Sequence, residues 1–244
     1  GVGVIEDSSL LQSVRHDRSD WLQVIPRKAR IAGQRAWGSF SVGVDTFGWG
    51  AGLLAHDGRT ESAFGDPRRG NAVGRFLIGA PVSFLQGGSL FAAADLVVRD
   101  ENAEFLLGDR AVQAVGGLRI QRSRWEAGLL GLVRYQQDRL VEGQQASGST
   151  VSLATPVDLY TRVRLTPEGL PVQAQWTTEL VRVVGRSERV ANGDTAGEAG
   201  RISSVGALSA LEFEVPDWGV TADLEWLFAS GDNDPYDGLS RSFS

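Results

Sequence analysis

Ten stretches of this chain alternate apolar and polar residues strictly, and the connections between them alternate short and long. Successive side chains of a strand point to opposite faces, so each stretch has one apolar and one polar face. The best hairpin shows the pattern. From Trp125 to Tyr135 the odd positions are Trp125, Ala127, Leu129, Gly131, Val133 and Tyr135, while the even ones include Glu126 and Arg134. Trp125 and Tyr135 stand at the two ends of the apolar face. At about 3.3 Å per residue and a tilt of about 40°, their separation projects to about 25 Å, the height of the apolar band on a membrane-spanning barrel. Near the end of the chain, Trp218, Val220, Ala222, Leu224, Trp226 and Phe228 repeat the pattern, against Glu212, Glu214, Asp223 and Glu225 on the polar side.

The periodicity predicts five hairpins, 36–44 with 47–57, 73–84 with 89–99, 111–122 with 125–137, 156–166 with 171–184, and 202–215 with 218–229. Short turns fall at Asp45-Thr46, Leu85 to Gly88, Ser123-Arg124, Thr166 to Leu170 and Pro216-Asp217. Longer connections, rich in Gly, Ser, Asp and Arg, run from Gly58 to Ala72, Asp100 to Arg110, Asp138 to Thr155 and Gly185 to Arg201. In outer-membrane barrels the short turns face the periplasm and the long loops face outward. The expectation is therefore an all-β fold, an antiparallel up-and-down transmembrane β-barrel, with about 10–12 strands in this chain and the remainder in a larger barrel.

Residues 1–35 form an N-terminal segment able to add one strand, 36–229 the wall, and 230–244 an acidic extracellular loop with a truncated end. An open sheet edge in lipid costs several kcal/mol per unpaired group, so further strands must come from the rest of the gene product or from another chain.

Composition is compatible. Mean hydropathy is −0.12, with no run near 18 apolar residues, which excludes helical spans but not a barrel with a polar interior. There is no cysteine, so disulfides, thiolate metal sites and cysteine nucleophiles are out, and the net charge of −6 argues against nucleic acid.

Chemistry-bearing motifs are few. The two histidines, His16 and His56, fall in predicted loops, and no nucleophile elbow, phosphate loop or metal-spaced histidine pair is present, so an enzyme is not expected. Charge on the polar face is more informative. Arg119, Arg134, Arg162, Arg164 and Arg182 are expected to point inward from the central strands, and Glu212, Glu214, Asp223 and Glu225 from the last hairpin. A basic sector beside an acidic one sets up a transverse field across a water-filled lumen and selects solutes by charge. Trp125, Tyr135, Trp218 and Trp226 are placed at the membrane interfaces, where amphipathic rings favour the headgroup level. Asp232, Asp234 and Asp237 offer hard oxygen ligands suited to a structural Ca²⁺, against a plain solvated loop; no other cofactor is expected.

The passage Trp226-Leu227-Phe228-Ala229-Ser230-Gly231-Asp232-Asn233-Asp234-Pro235-Tyr236-Asp237-Gly238 resembles the alginate-export-type outer-membrane porins, and Asp158-Leu159-Tyr160-Thr161-Arg162-Val163-Arg164-Leu165 looks like one of their strands. The resemblance implies a many-stranded barrel in the bacterial outer membrane, passing anionic saccharide or small hydrophilic solutes through a charged lumen. It would put Arg162 and Arg164 on the lumen wall and Asp232 to Asp237 in an external loop. Lipid and lipopolysaccharide would be its surroundings, and other envelope proteins its neighbours. Two rival readings stand beside it, a structural or adhesive barrel subunit of an envelope complex, its lumen plugged by long loops or a partner, and a soluble all-β carbohydrate-binding protein.

Overall fold

The computed structural model describes residues 28–58, 70–100, 102–139, 149–165, 172–188, 190, 199–232 and 239–243. They build one antiparallel sheet in which each strand pairs with the next. Its strands are β1 (Ala29–Arg35), β2 (Gly38–Thr46), β3 (Ala72–Pro81), β4 (Gly88–Arg99), β5 (Arg110–Gln121), β6 (Trp125–Arg139), β7 (Ser149–Leu165), β8 (Gln173–Ser187), β9 (Gly200–Val215) and β10 (Val220–Ala229). A two-residue strand, β11 (Leu239–Ser240), runs parallel to the start of β9. The pairing path runs from β1 to β10 and, among the described residues, does not join its ends.

The strand ends that the short connections join, across 36–37, 82–87, 122–124, 166–172 and 216–219, all lie at one end of the sheet, and those that the long ones join, across 47–71, 100–109, 140–148, 188–199 and 230–238, lie at the other. Three of the five expected turns, Leu85 to Gly88, Ser123-Arg124 and Pro216-Asp217, are at the short end as read, and a fourth, Thr166 to Leu170, lies outside the described residues. The fifth is displaced. Asp45 and Thr46 close β2 rather than turning, and the first hairpin is β1 with β2 about Ala36-Trp37, in register from Ala29 opposite Val44 to Arg35 opposite Gly38.

The expected strand at 47–57 does not form. Its apolar alternation, Phe47, Trp49, Ala51, Leu53 and Ala55, mimics a strand, but Gly50 (φ 58°) and Gly52 (φ 97°) take left-handed conformations that fold the segment back on itself. The segment becomes a small hairpin lying on the concave face of the sheet. The Trp49 N–H bonds the Ala55 carbonyl at 2.9 Å, and the Phe47 and Asn71 N–H groups bond the Asn71 and His56 carbonyls at 2.9 and 2.8 Å.

That hairpin supplies the middle of the core. Phe47 and Ala55 pack with Val73, Ala93, Val115, Leu130 and Leu132 from β3, β4, β5 and β6, while Trp49 and Phe91 flank the cluster with rings 5.7 Å apart. Gly128 on β6 is the close approach this needs, since a Cβ there would stand 2.6 Å from the Trp49 ring. The convex face is apolar and open. Phe76, Ile78, Leu90, Val112, Leu129, Val133, Leu159 and Leu180 are all exposed there, while Asp95, Gln113, Gln136, Asp158 and Glu179 are buried on the concave side. A soluble sandwich has the reverse arrangement.

Candidate functional site

The concave face of β3 to β8 carries the chemistry. Arg75 meets Asp95 through two contacts of 2.6 Å, Gln113 donates to the same carboxylate at 2.9 Å, and the Arg75 guanidinium lies 3.9 Å over the Phe47 ring. Nearer the long-loop end, Arg134 bonds Asp100 at 2.5 Å, and Gln136 donates to the Asn102 carbonyl and to Asp138. Buried charges are tolerated only when paired and hydrogen-bonded in this way.

The hairpin at 47–58 crosses this face to the far wall. Glu179 on β8, only 2% exposed, accepts hydrogen bonds from the Ala51 N–H and, at 3.2 Å, from the Leu53 N–H, with the Leu54 N–H also directed at it. These donors belong to the tip of the hairpin. Backbone amides held away from water need a partner, and a carboxylate is a strong one. A Cβ at Gly50 would stand 2.6 Å from the Glu179 carboxylate, so the tip lies against it without a side chain between. Asp158, fully buried on β7, sits beside Glu179 and Trp49.

Cavities lie on either side of the hairpin, one of about 800 Å³ against its Phe47 to Trp49 stem and two that share its tip. Of those two, one, of about 290 Å³ towards the long-loop end, is bounded by Phe47 and Gly52 to His56 and lined by amides and hydroxyls such as Gln113, Gln136, Ser152 and Ser204, with Arg134 and Asp100 balancing each other. The other, of about 480 Å³ towards the short-turn end, is bounded by Gly48 to Gly52 and lined by four cations, Lys28, Arg30, Arg119 and Arg162, against three carboxylates. Lys28 and Arg30 share Asp45 at 3.1 and 2.7 Å, and Arg119 holds Glu126 at 2.8 Å. Arg162 packs 5.4 Å from the Tyr160 ring and makes no ion pair among the described residues.

The structure thus puts Arg119, Arg134, Arg162 and Arg164 on the concave side of their strands, but Arg119 and Arg134 spend their charge on carboxylate partners. Arg182 is a correction. It shares the convex face with Trp176, Leu180 and Val184, opposite Glu179 and Val181, and bonds the half-buried Ser203 hydroxyl at 2.7 Å. The run Val181-Arg182-Val183-Val184 is apolar on both faces and so could not fix its own phase; the register to β7, Leu159 opposite Leu180, does.

Glu212, Glu214, Asp223 and Glu225 do share the concave side of β9 and β10, with Asp223 opposite Glu212, but all four stand exposed beyond the walled region. Trp125, Tyr135, Trp218 and Trp226 are exposed on the convex side or at its turn. The Asp232 carboxylate accepts from the Arg241 backbone N–H at 3.2 Å and its guanidinium at 3.5 Å; Asp234 and Asp237 lie outside the described residues. His56 is buried in the hairpin, while His16 also lies outside the described residues.

Sequence reasoning missed Glu179, Asp158, Arg75 and Asp95. The available signal was a lone charge in an otherwise apolar or small concave phase, as in Thr177, Glu179 and Val181. No family model, no curated protein and no solved structure matches this chain.

Proposed function

We propose that this chain is wall and inner loop of an outer-membrane β-barrel that passes hydrophilic solutes selectively by charge. The observation that carries the reading is the inverted polarity of the sheet, apolar residues exposed over its convex face and ion pairs buried on its concave one. Monomeric soluble proteins rarely expose contiguous apolar patches beyond a few hundred Å². Lipid is the solvent such a face suits.

The aromatic distribution supports the same reading. Exposed rings stand at or beside four short-end turns, Trp37, Phe84, Trp125 and Trp218, as an interfacial girdle would require. No described helix is long and apolar enough to cross a membrane, a test that does not bear on strands. Anionic saccharides are the solute class proposed, on the strength of Arg162 and Arg164, which keep permanent forked charges with no carboxylate ion pair among the described residues. The packed hairpin at 47–58 favours the second reading, a barrel serving as a plugged structural subunit.

Planar-bilayer recording of the full-length protein separates the two. Replacing Arg162 and Arg164 together by Gln is expected to shift reversal potentials towards cations at low salt, with the difference fading near 1 M, where the Debye length falls to about 3 Å. Stable insertion without conductance selects the plugged subunit. Monodispersity without detergent overturns both membrane readings.

A further inference from the structure

We infer that the hairpin at 47–58 is a strap that divides the interior into two chambers and is latched there by Glu179, so that Glu179 controls passage between them. This rests on the pore reading for its consequence but not for its geometry. Gly52, Ala55 and His56 border both cavities, the balanced one of about 290 Å³ and the cation-rich one of about 480 Å³, so the strap is the partition between them. It enters from the β2 side of the sheet, and its tip reaches β8 on the far side.

Glu179 is the side chain that accepts hydrogen bonds from the tip. The apolar stem residues Phe47 and Ala55 are buried, but the turn from Gly50 to Leu54 is partly exposed and presents backbone donors to the opposite wall. Glu179 takes the Ala51 and Leu53 N–H groups, an interaction 126 to 128 residues apart in sequence. Its carboxylate is acceptor-only when ionised, which matches the N–H donors that the turn directs at it. Left-handed Gly50 and Gly52 let those amides converge on one point. Without that acceptor the buried amides lose their partner, and the state in which the tip lifts into water gains in population.

The absence of cysteine from the chain allows a direct test. Ala55, 3% exposed, is replaced by Cys as the sole thiol, and N-ethylmaleimide labelling is timed in the detergent-solubilised full-length protein. Labelling is expected to be slow with Glu179 in place and faster by roughly tenfold or more with Glu179→Gln, the loss of a charge-assisted bond. Gly50→Ala, whose methyl would collide with the carboxylate, is expected to act in the same direction while keeping Glu179 itself. Glu212→Gln, on the neighbouring strand away from the strap, is expected to leave the rate unchanged. Equal rates in all four proteins overturn the latch, as does equal acceleration by Glu212→Gln.

The same variants are then recorded in bilayers. Larger or more frequent openings in Glu179→Gln and Gly50→Ala support the partition, and unchanged openings despite faster labelling overturn it. Silence from every variant despite accelerated labelling refutes the pore reading and leaves the strap as a latched plug without a passage to control.

Discussion

Strands β6 and β10 carry the same alternation of apolar and polar residues, yet they live in different surroundings. On β6 the polar phase meets a filled interior, in which Leu130 is fully buried and Gln136 and Asp138 are closed into a network. On β10 nearly every residue is exposed, Asp223 and Glu225 included, and among the described residues only its β9 side is paired. Alternation therefore specifies that a strand has two faces. It does not say what fills the space behind either of them, which depends on whether another segment folds in.

Arg75→Ala is expected to break the filled half most severely. It would leave Asp95 buried with Gln113 as its only side-chain partner among the described residues, and removing one member of a buried ion pair costs about 3–5 kcal/mol. Asp223→Ala on the open half is expected to change stability by about 0.5 kcal/mol or less. Guanidinium unfolding in detergent micelles reads both, and equal costs would erase the distinction between the halves.

Leu130→Ala comes next, at about 2–5 kcal/mol for a cavity in the core around Phe47, against about 1 kcal/mol or less for Leu227→Ala, which has no such cluster to leave empty. A smaller expected effect tests where the two halves agree. Leu129 and Leu224 are both exposed on the convex face, so Arg at either is expected to cost about 2–4 kcal/mol in lipid, while Arg at Thr221 is expected to be tolerated. Refolding yield into vesicles measures it. Tolerance at all three positions would sink the assignment of the convex face to lipid.

The smallest expected effect concerns calcium. Asp232 is already engaged by Arg241, so Asp232→Ala is expected to change thermal stability no more in millimolar calcium than in chelator. A calcium-dependent rise lost in the variant would restore the acidic loop as a metal site.

Most of the wall was legible because its information is local. Trp125 to Tyr135 states its own strand, and the Pro216-Asp217 turn declares itself through proline and the left-handed Gly219 that follows it. β1 was harder to read because Ala29 to Arg35 has a single large apolar residue, Ile31, and otherwise only Ala and Gly to mark an apolar face. The interior was not legible for a different reason. Phe47 to Ala55 has the period of a strand, and contacts far away in sequence, the core around Leu130 and the Glu179 carboxylate, hold it folded back on the sheet instead. Arg182 was misplaced for want of phase, since valines on both sides of it suit lipid and core equally.

The rings at the two ends of β6 carry a last consequence. On the proposed reading, Trp125 and Tyr135 set the greasy height of the wall at about 25 Å, thinner than the roughly 30 Å of an average hydrocarbon layer. Such a protein in a thick bilayer must pinch the lipid or tilt, at fractions of a kcal/mol per ångström of mismatch. Spontaneous insertion should therefore be fastest into short-chain phospholipids and slow as the acyl chains lengthen, so that membrane thickness alone sorts this chain towards the thinnest envelope available to it.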